Sequence, residues 1–186
     1  MRPEDVRTIG VVGCGIMGSG IVEVCAKAGF VVITVEVNDE AMARGRRRVE
    51  TSMARAVERG KMDSAAHDAA LARITSSTSL DDLSDADLVI EAATESLVTK
   101  LGIFARLDEI TRPDVVLATN TSSLPIAELA TVTKRGEQII GLHFFNPPPV
   151  MKLLEIVRAL TTSDETVSFA RALGARLGKS TVLAKD

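Results

Sequence analysis

The chain has no tryptophan and no tyrosine, and five phenylalanines make up its 3% aromatic content. That scarcity argues against a protein that stacks single-stranded bases on aromatic side chains. The core must be aliphatic instead, and 46% hydrophobic residues over 186 positions are enough for one full domain spanning 1–186. Basic charge is not in surplus. The 22 Lys and Arg against 25 Asp and Glu leave a net charge of −3, so no global field draws nucleic acid or an anionic membrane, and neither is expected as a partner. Long hydrophobic runs are missing, and the opening Met1–Thr8 has no signal-type stretch. Two cysteines, Cys14 and Cys25, are too few for a disulfide framework. They read as small apolar residues in a reducing compartment, and the cytoplasm is the expected location. Histidine is equally scarce, at His67 and His143. No His/Cys cluster has ligand spacing, so no metal is expected.

What the chain does have is alternation. Short, nearly continuous apolar runs at Thr8–Val12, Val31–Glu36, Leu88–Glu91, Val115–Thr119 and Ile139–Phe144 predict strands buried on both faces. Helical patterns at Met17–Ala28, Asp39–Arg59, Ser64–Arg73, Val98–Ile110 and Pro125–Thr131 lie between them. Leu153–Val157 and Thr181–Ala184 predict two more strands, and Thr162–Glu165 reads as a capping box opening a helix to about Leu177. The expected fold class is therefore α/β, a doubly wound, mostly parallel sheet with helices on both faces.

A glycine loop, Gly13-Cys-Gly-Ile-Met-Gly18, follows the first strand and opens the first helix. Gly13 permits a tight turn, Gly15 lets backbone approach a pyrophosphate, and Gly18 lets helix and strand pack closely. The helix amides behind Ile16 and Met17 would then hold phosphates. Glu36, at the end of the second strand, can take both hydroxyls of a ribose and repels a 2′-phosphate, which favours NAD over NADP.

The most informative segment is Gly141–Glu155. It sets His143 where a buried run meets a loop, and a carboxylate twelve residues on in the next apolar run. That is the layout of a general base and its orienting partner. Two other strand ends carry polar groups: Glu95 and Lys100 after Leu88–Glu91, and a hydroxyl cluster around Ser122 after Val115–Thr119. By pattern alone, Glu95 is a carboxylate at a helix start, Lys100 a solvent lysine, and the basic run Arg44–Arg48 a solvated helix face. No Gly-x-Ser-x-Gly elbow surrounds the serines, so a serine-nucleophile hydrolase is not expected.

These motifs together resemble the NAD-binding domain of the 3-hydroxyacyl-CoA dehydrogenases, the 3-hydroxybutyryl-CoA dehydrogenases included. The resemblance runs nearly end to end. Its specific parts are Asn120–Leu124 and Gly141–Pro147 continuing through Met151–Glu155. It implies a Rossmann-type fold, NAD as cofactor, an acyl-CoA substrate, and (3S)-3-hydroxyacyl-CoA oxidation to 3-oxoacyl-CoA or the reverse. By the same resemblance His143 is the base, Glu155 its partner, and Ser122 the donor to the substrate 3-oxygen beside the nicotinamide. Glu95, Lys100 and Asn146 line the NAD site, and Ser52 with Arg59 or Lys61 touches coenzyme A. The family also implies a helical C-terminal domain with the homodimer interface, which is expected beyond residue 186. Two alternatives stand beside this reading. One is another β-hydroxyacid dehydrogenase, which would place a lysine base in a later domain. The other is a family member that binds NAD, or serves structurally, without turnover.

Overall fold

In the computed structural model, residues 2–186 are described; Met1, the first residue of the N-terminal stretch, lies outside them. The chain runs β1 (Thr8–Val12), α1 (Ile16–Lys27), β2 (Val31–Val35), α2 (Asp39–Glu58), α3 (Ser64–Ala72), β3 (Ile74–Ser77) and β4 (Leu88–Glu91). It continues through α4 (Leu97–Ile110), β5 (Val116–Thr119), α5 (Ile126–Ala130), β6 (Ile139–Phe144), β7 (Leu153–Arg158), α6 (Asp164–Arg176) and β8 (Ser180–Lys185). All strands join one sheet in the order β3-β2-β1-β4-β5-β6-β7-β8. β1 to β6 pair in parallel, β7 is antiparallel to β6, and β8 is parallel to β7.

The apolar strands are continuous because both of their faces are covered. In β4, Leu88 and Ile90 join a core on one side of the sheet and Val89 joins the other. β5 divides the same way, Val116 and Ala118 against Leu117. The first core is closed by α1 and α6, through residues such as Ile21, Cys25, Phe169 and Leu173, and the second by Phe104 and Leu107 of α4 and Leu129 of α5. β1 sits between β2 and β4, so the chain reverses direction across the sheet there, and ligands of open α/β sheets bind at the carboxyl ends of the strands around such a point.

Local signals place most boundaries. Asn38 Oδ1 accepts the amide of Ala41 at 2.8 Å and caps α2 as expected. Three details differ from expectation. β3 has no counterpart among the predicted strands: Ile74 is its only apolar residue, and it pairs with β2 alone, so it needs no alternating pattern. The cap of α6 is Ser163, whose Oγ accepts from Thr166, while Thr162 donates to Ile139 O instead. Pro125 stands just ahead of α5 rather than inside it. Among the described residues no helix is long and apolar enough to cross a membrane.

Candidate active site

The glycine loop is shaped by contact. Gly13 has φ +92°, and a Cβ there would lie 2.6 Å from Ala93 Cα in the loop after β4. A Cβ on Gly18 would lie 1.9 Å from Gly13 O. Neither position tolerates a side chain. Gly15 differs, because nothing lies within 4 Å of its Cβ position. It is the N-cap of α1 without a capping side chain, so the helix presents its first amides and its positive end to open space. Glu36, one residue past β2, lies against the loop: Oε1 accepts from Cys14 N at 2.6 Å and Oε2 from Val37 N at 3.1 Å. A third close approach was not legible in the motif. Gly45 of α2 faces the loop, and a Cβ there would lie 2.5 Å from Cys14 O. Both thiols are buried, and burial pushes Cys14 up and Cys25 up to about 12, so they stay neutral.

His143 and Glu155 are directly paired in the antiparallel register of β6 and β7. Their side chains meet with Nδ1 2.9 Å from Oε2. The carboxylate can only accept, so in the neutral imidazole Nδ1 carries the proton and Nε2 keeps its lone pair. The pair is 21% and 32% exposed, sheltered but open to a ligand. The Phe145 ring lies 4.7 Å from the imidazole centroid. In front of the pair is a cavity of about 470 Å³ walled by Thr121–Ile126 on one side and by Val157 and Ala184–Asp186 on the other. Ser122 is exposed and lines this cavity with His143 and Glu155. The structure therefore brings all three residues together. Asn146 is exposed three residues past His143 and precedes a cis peptide to Pro147.

Two rim residues make bonds that their pattern did not show, and one of them is placed differently from it. Lys100 is no solvent lysine: its side chain is 2% exposed, and Nζ donates to both oxygens of the fully buried Glu91, at 2.8 and 2.6 Å. Glu91 also accepts from Ala93 N and Thr119 Oγ1. Its bonds therefore hold the loop that Gly13 packs on, and Lys100 reaches the rim only through them. Glu95 stands just before the Ser96 cap of α4, and it bonds across the rim, accepting from Thr121 Oγ1 at 2.7 Å and Ser122 N at 3.2 Å.

Ser52, Arg59 and Lys61 lie together on a second cavity of about 910 Å³ between α1, α2 and the Pro147–Val150 turn. The Arg44–Arg48 run is not merely a solvated face, because Arg44, Arg47 and Arg48 line the same cleft, as do Lys27 and Arg55. Helical spacing hid this convergence, since which α2 face meets α1 is a tertiary fact. The cleft is strongly cationic in a chain of net charge −3.

Sheet order, loop and rim together define a dinucleotide-binding α/β domain. Comparison with known proteins is specific. Residues 8–186 match the family model described as 3-hydroxyacyl-CoA dehydrogenase, NAD binding domain, and the chain belongs to this family. It is 44% identical over 182 residues to a probable 3-hydroxybutyryl-CoA dehydrogenase of Bacillus subtilis, covering 98% of this chain and 63% of that protein. It is 46% identical over 188 residues to a 3-hydroxybutyryl-CoA dehydrogenase of Mycobacterium tuberculosis, covering 98% and 65%. The crystal structure of (S)-3-hydroxybutyryl-CoA dehydrogenase from Ralstonia eutropha superposes with a TM-score of 0.95 at 45% identity, over 98% of this chain and 64% of that one. The chain thus spans somewhat less than two thirds of the length of these relatives.

Proposed function

We propose that this chain is the cofactor-binding and proton-transferring part of an NAD-dependent 3-hydroxyacyl-CoA dehydrogenase, interconverting (3S)-3-hydroxyacyl-CoA and 3-oxoacyl-CoA. The observation that carries the reading is the His143–Glu155 pair, 2.9 Å apart, facing Ser122 across a cavity at the sheet's carboxyl rim. In the oxidising direction His143 Nε2 takes the proton from the substrate 3-hydroxyl. Glu155 fixes the imidazole tautomer through Nδ1 and stabilises the imidazolium that forms. Ser122 donates to the 3-oxygen and orients it. In the reducing direction the same proton returns from His143.

The residues present fit NAD. The space over Gly15 and the uncapped amides of Ile16, Met17 and Gly18 suit a pyrophosphate, with Gly13 and Gly18 setting the turn. Glu36 stands beside that loop for the ribose, while Glu95 and Asn146 complete the rim and Lys100 supports it through Glu91. Bound NAD+ supplies the hydride acceptor that this chemistry needs. The basic cleft suits the phosphates of coenzyme A, with Ser52, Arg59 and Lys61 on its wall. The cleft and the catalytic cavity share no wall, but His143 borders one and Pro147 and Pro149 the other. An acyl-CoA lying along Phe145 and Asn146 would join them. A cytoplasmic homodimer, assembled through the part of the relatives that lies beyond the match, belongs to the same proposal.

The test is acetoacetyl-CoA-dependent NADH oxidation, by the chain alone and by the chain joined to the remaining third of the Ralstonia relative. Turnover is expected in at least the second form. His143→Gln should lower kcat by on the order of a hundredfold or more, with NADH affinity unchanged. Near-wild-type turnover of that variant would overturn the assignment. NADH binding without turnover in either form would favour a binding-only member of the family.

A further inference from the structure

The segment Thr121–Ala127 carries Ser122, and it is held by two carboxylates that come from elsewhere. Glu95 bonds its front end, at Thr121 Oγ1 and Ser122 N. Asp186 bonds its back end: Oδ1 accepts from Ile126 N at 3.0 Å and Oδ2 from Ala127 N at 2.8 Å. Both oxygens of Asp186 are used on backbone amides at the start of α5, and they reach across some sixty residues of sequence. The backbone of Asp186 is tied in turn, its amide donating to Arg158 O of β7 at 3.0 Å. Glu155 lies on that same strand, three residues before Arg158.

A continuous line of bonds therefore runs from the strand that carries Glu155, through the Asp186 backbone and carboxylate, to the segment that carries Ser122. The cavity between them is the one that holds His143, and Asp186 forms part of its wall. We infer that Asp186 is a positioning residue, whose carboxylate sets the separation of Ser122 from the His143–Glu155 pair and so the alignment of the substrate 3-oxygen. It touches no reacting atom, and it rests on the proposed dehydrogenase reading for its catalytic consequence. Displacement of an orienting group by about an ångström costs up to roughly a hundredfold in rate. A loss of that kind falls on kcat rather than on the binding of the nucleotide phosphates, which the Gly13–Gly18 loop would hold.

Two measurements test this on Asp186→Ala, Asp186→Asn and Ser122→Ala. The first is residue-resolved amide exchange on the chain itself. Asp186→Ala should lose protection at Ile126 and Ala127 and carry the loss back to Ser122 and Ser123. Loss confined to Ile126 and Ala127 would overturn the inference. The second is kinetic, in the form that reduces acetoacetyl-CoA. Asp186→Ala should lower kcat about tenfold or more with KM nearly unchanged. Asp186→Asn, which keeps one acceptor oxygen, should recover most of that. In the Ser122→Ala background, Asp186→Ala should cost no more than about twofold further, because both changes act on one group. Multiplying effects, or a rise in KM alone, would overturn the positioning role. Absence of turnover in unsubstituted protein would instead sink the dehydrogenase reading, while the exchange result would still decide the tie between Asp186 and the Ser122 segment.

Discussion

At the residue scale, the least ordinary group is a lysine with no exposure to speak of. Lys100 and Glu91 neutralise each other inside the molecule, and Thr119 and Ala93 fill the remaining bonding capacity of the carboxylate. Removing one partner of such a pair leaves a buried charge alone. Lys100→Ala should therefore lower the unfolding free energy by about 3–5 kcal/mol, read by urea titration. A loss below about 1 kcal/mol would mean that the lysine side chain is solvated. The pair could not be read from sequence. Glu91 looks like the polar end of a buried strand and Lys100 like a helix surface residue, and only the packing of α4 on the sheet brings them into contact. His143 and Glu155 were legible for the opposite reason. His143 closes one apolar run and Glu155 sits inside the next, and a short connection between two runs leaves an antiparallel pairing as the simplest geometry.

At the scale of elements, two helices shape the nucleotide loop, and sequence shows only one of them. α1 announces itself through Gly13, Gly15 and Gly18. α2 contributes through Gly45, a lone glycine in a charged helix, which is ordinarily a cost to helix stability. Its reason is close approach: Cys14 O and Sγ both stand 2.5 Å from where a Cβ would be. Gly45→Ala should push α2 off the loop and weaken NADH binding by about tenfold or more in calorimetric titration, the scale of a lost close packing contact. Gly102→Ala in α4 is the control. Nothing lies within 4 Å of its Cβ position, so it should leave binding unchanged and stabilise the helix by up to about 1 kcal/mol. Alternation of apolar runs and helical patterns revealed the rest of the architecture. It failed at β3, where a polar edge strand carries no burial signal.

At the scale of the whole molecule, the two rims of the sheet have different duties. The carboxyl rim holds the loop, the pair and the cavity in front of it. The opposite rim is tied by Asp87, which accepts from the amides of Arg7 and Thr8 and from Arg112. Burial pushes the Asp87 carboxyl up, but those three donors outweigh it and hold the group below the usual carboxylate value. A lowered folded-state pKa stabilises above the unfolded value, and the contribution is lost as pH falls through the folded one. Asp87→Asn should thus cost about 1–3 kcal/mol at neutral pH, with the deficit shrinking below about pH 4 and nucleotide binding untouched throughout. A deficit that persists unchanged in acid would assign the cost to shape rather than charge.

The basic cleft between α1 and α2 has a consequence in time as well as in affinity. A concentrated positive surface on an otherwise slightly acidic molecule makes it a directed target, and a polyanion diffusing nearby is turned toward that side before contact. Encounter with acyl-CoA should then slow steeply as added salt shortens the reach of the field to within about 10 Å. Stopped-flow association of a thioester without the nucleotide should be nearly indifferent to salt, and equal sensitivity of the two would remove the cleft from the approach path.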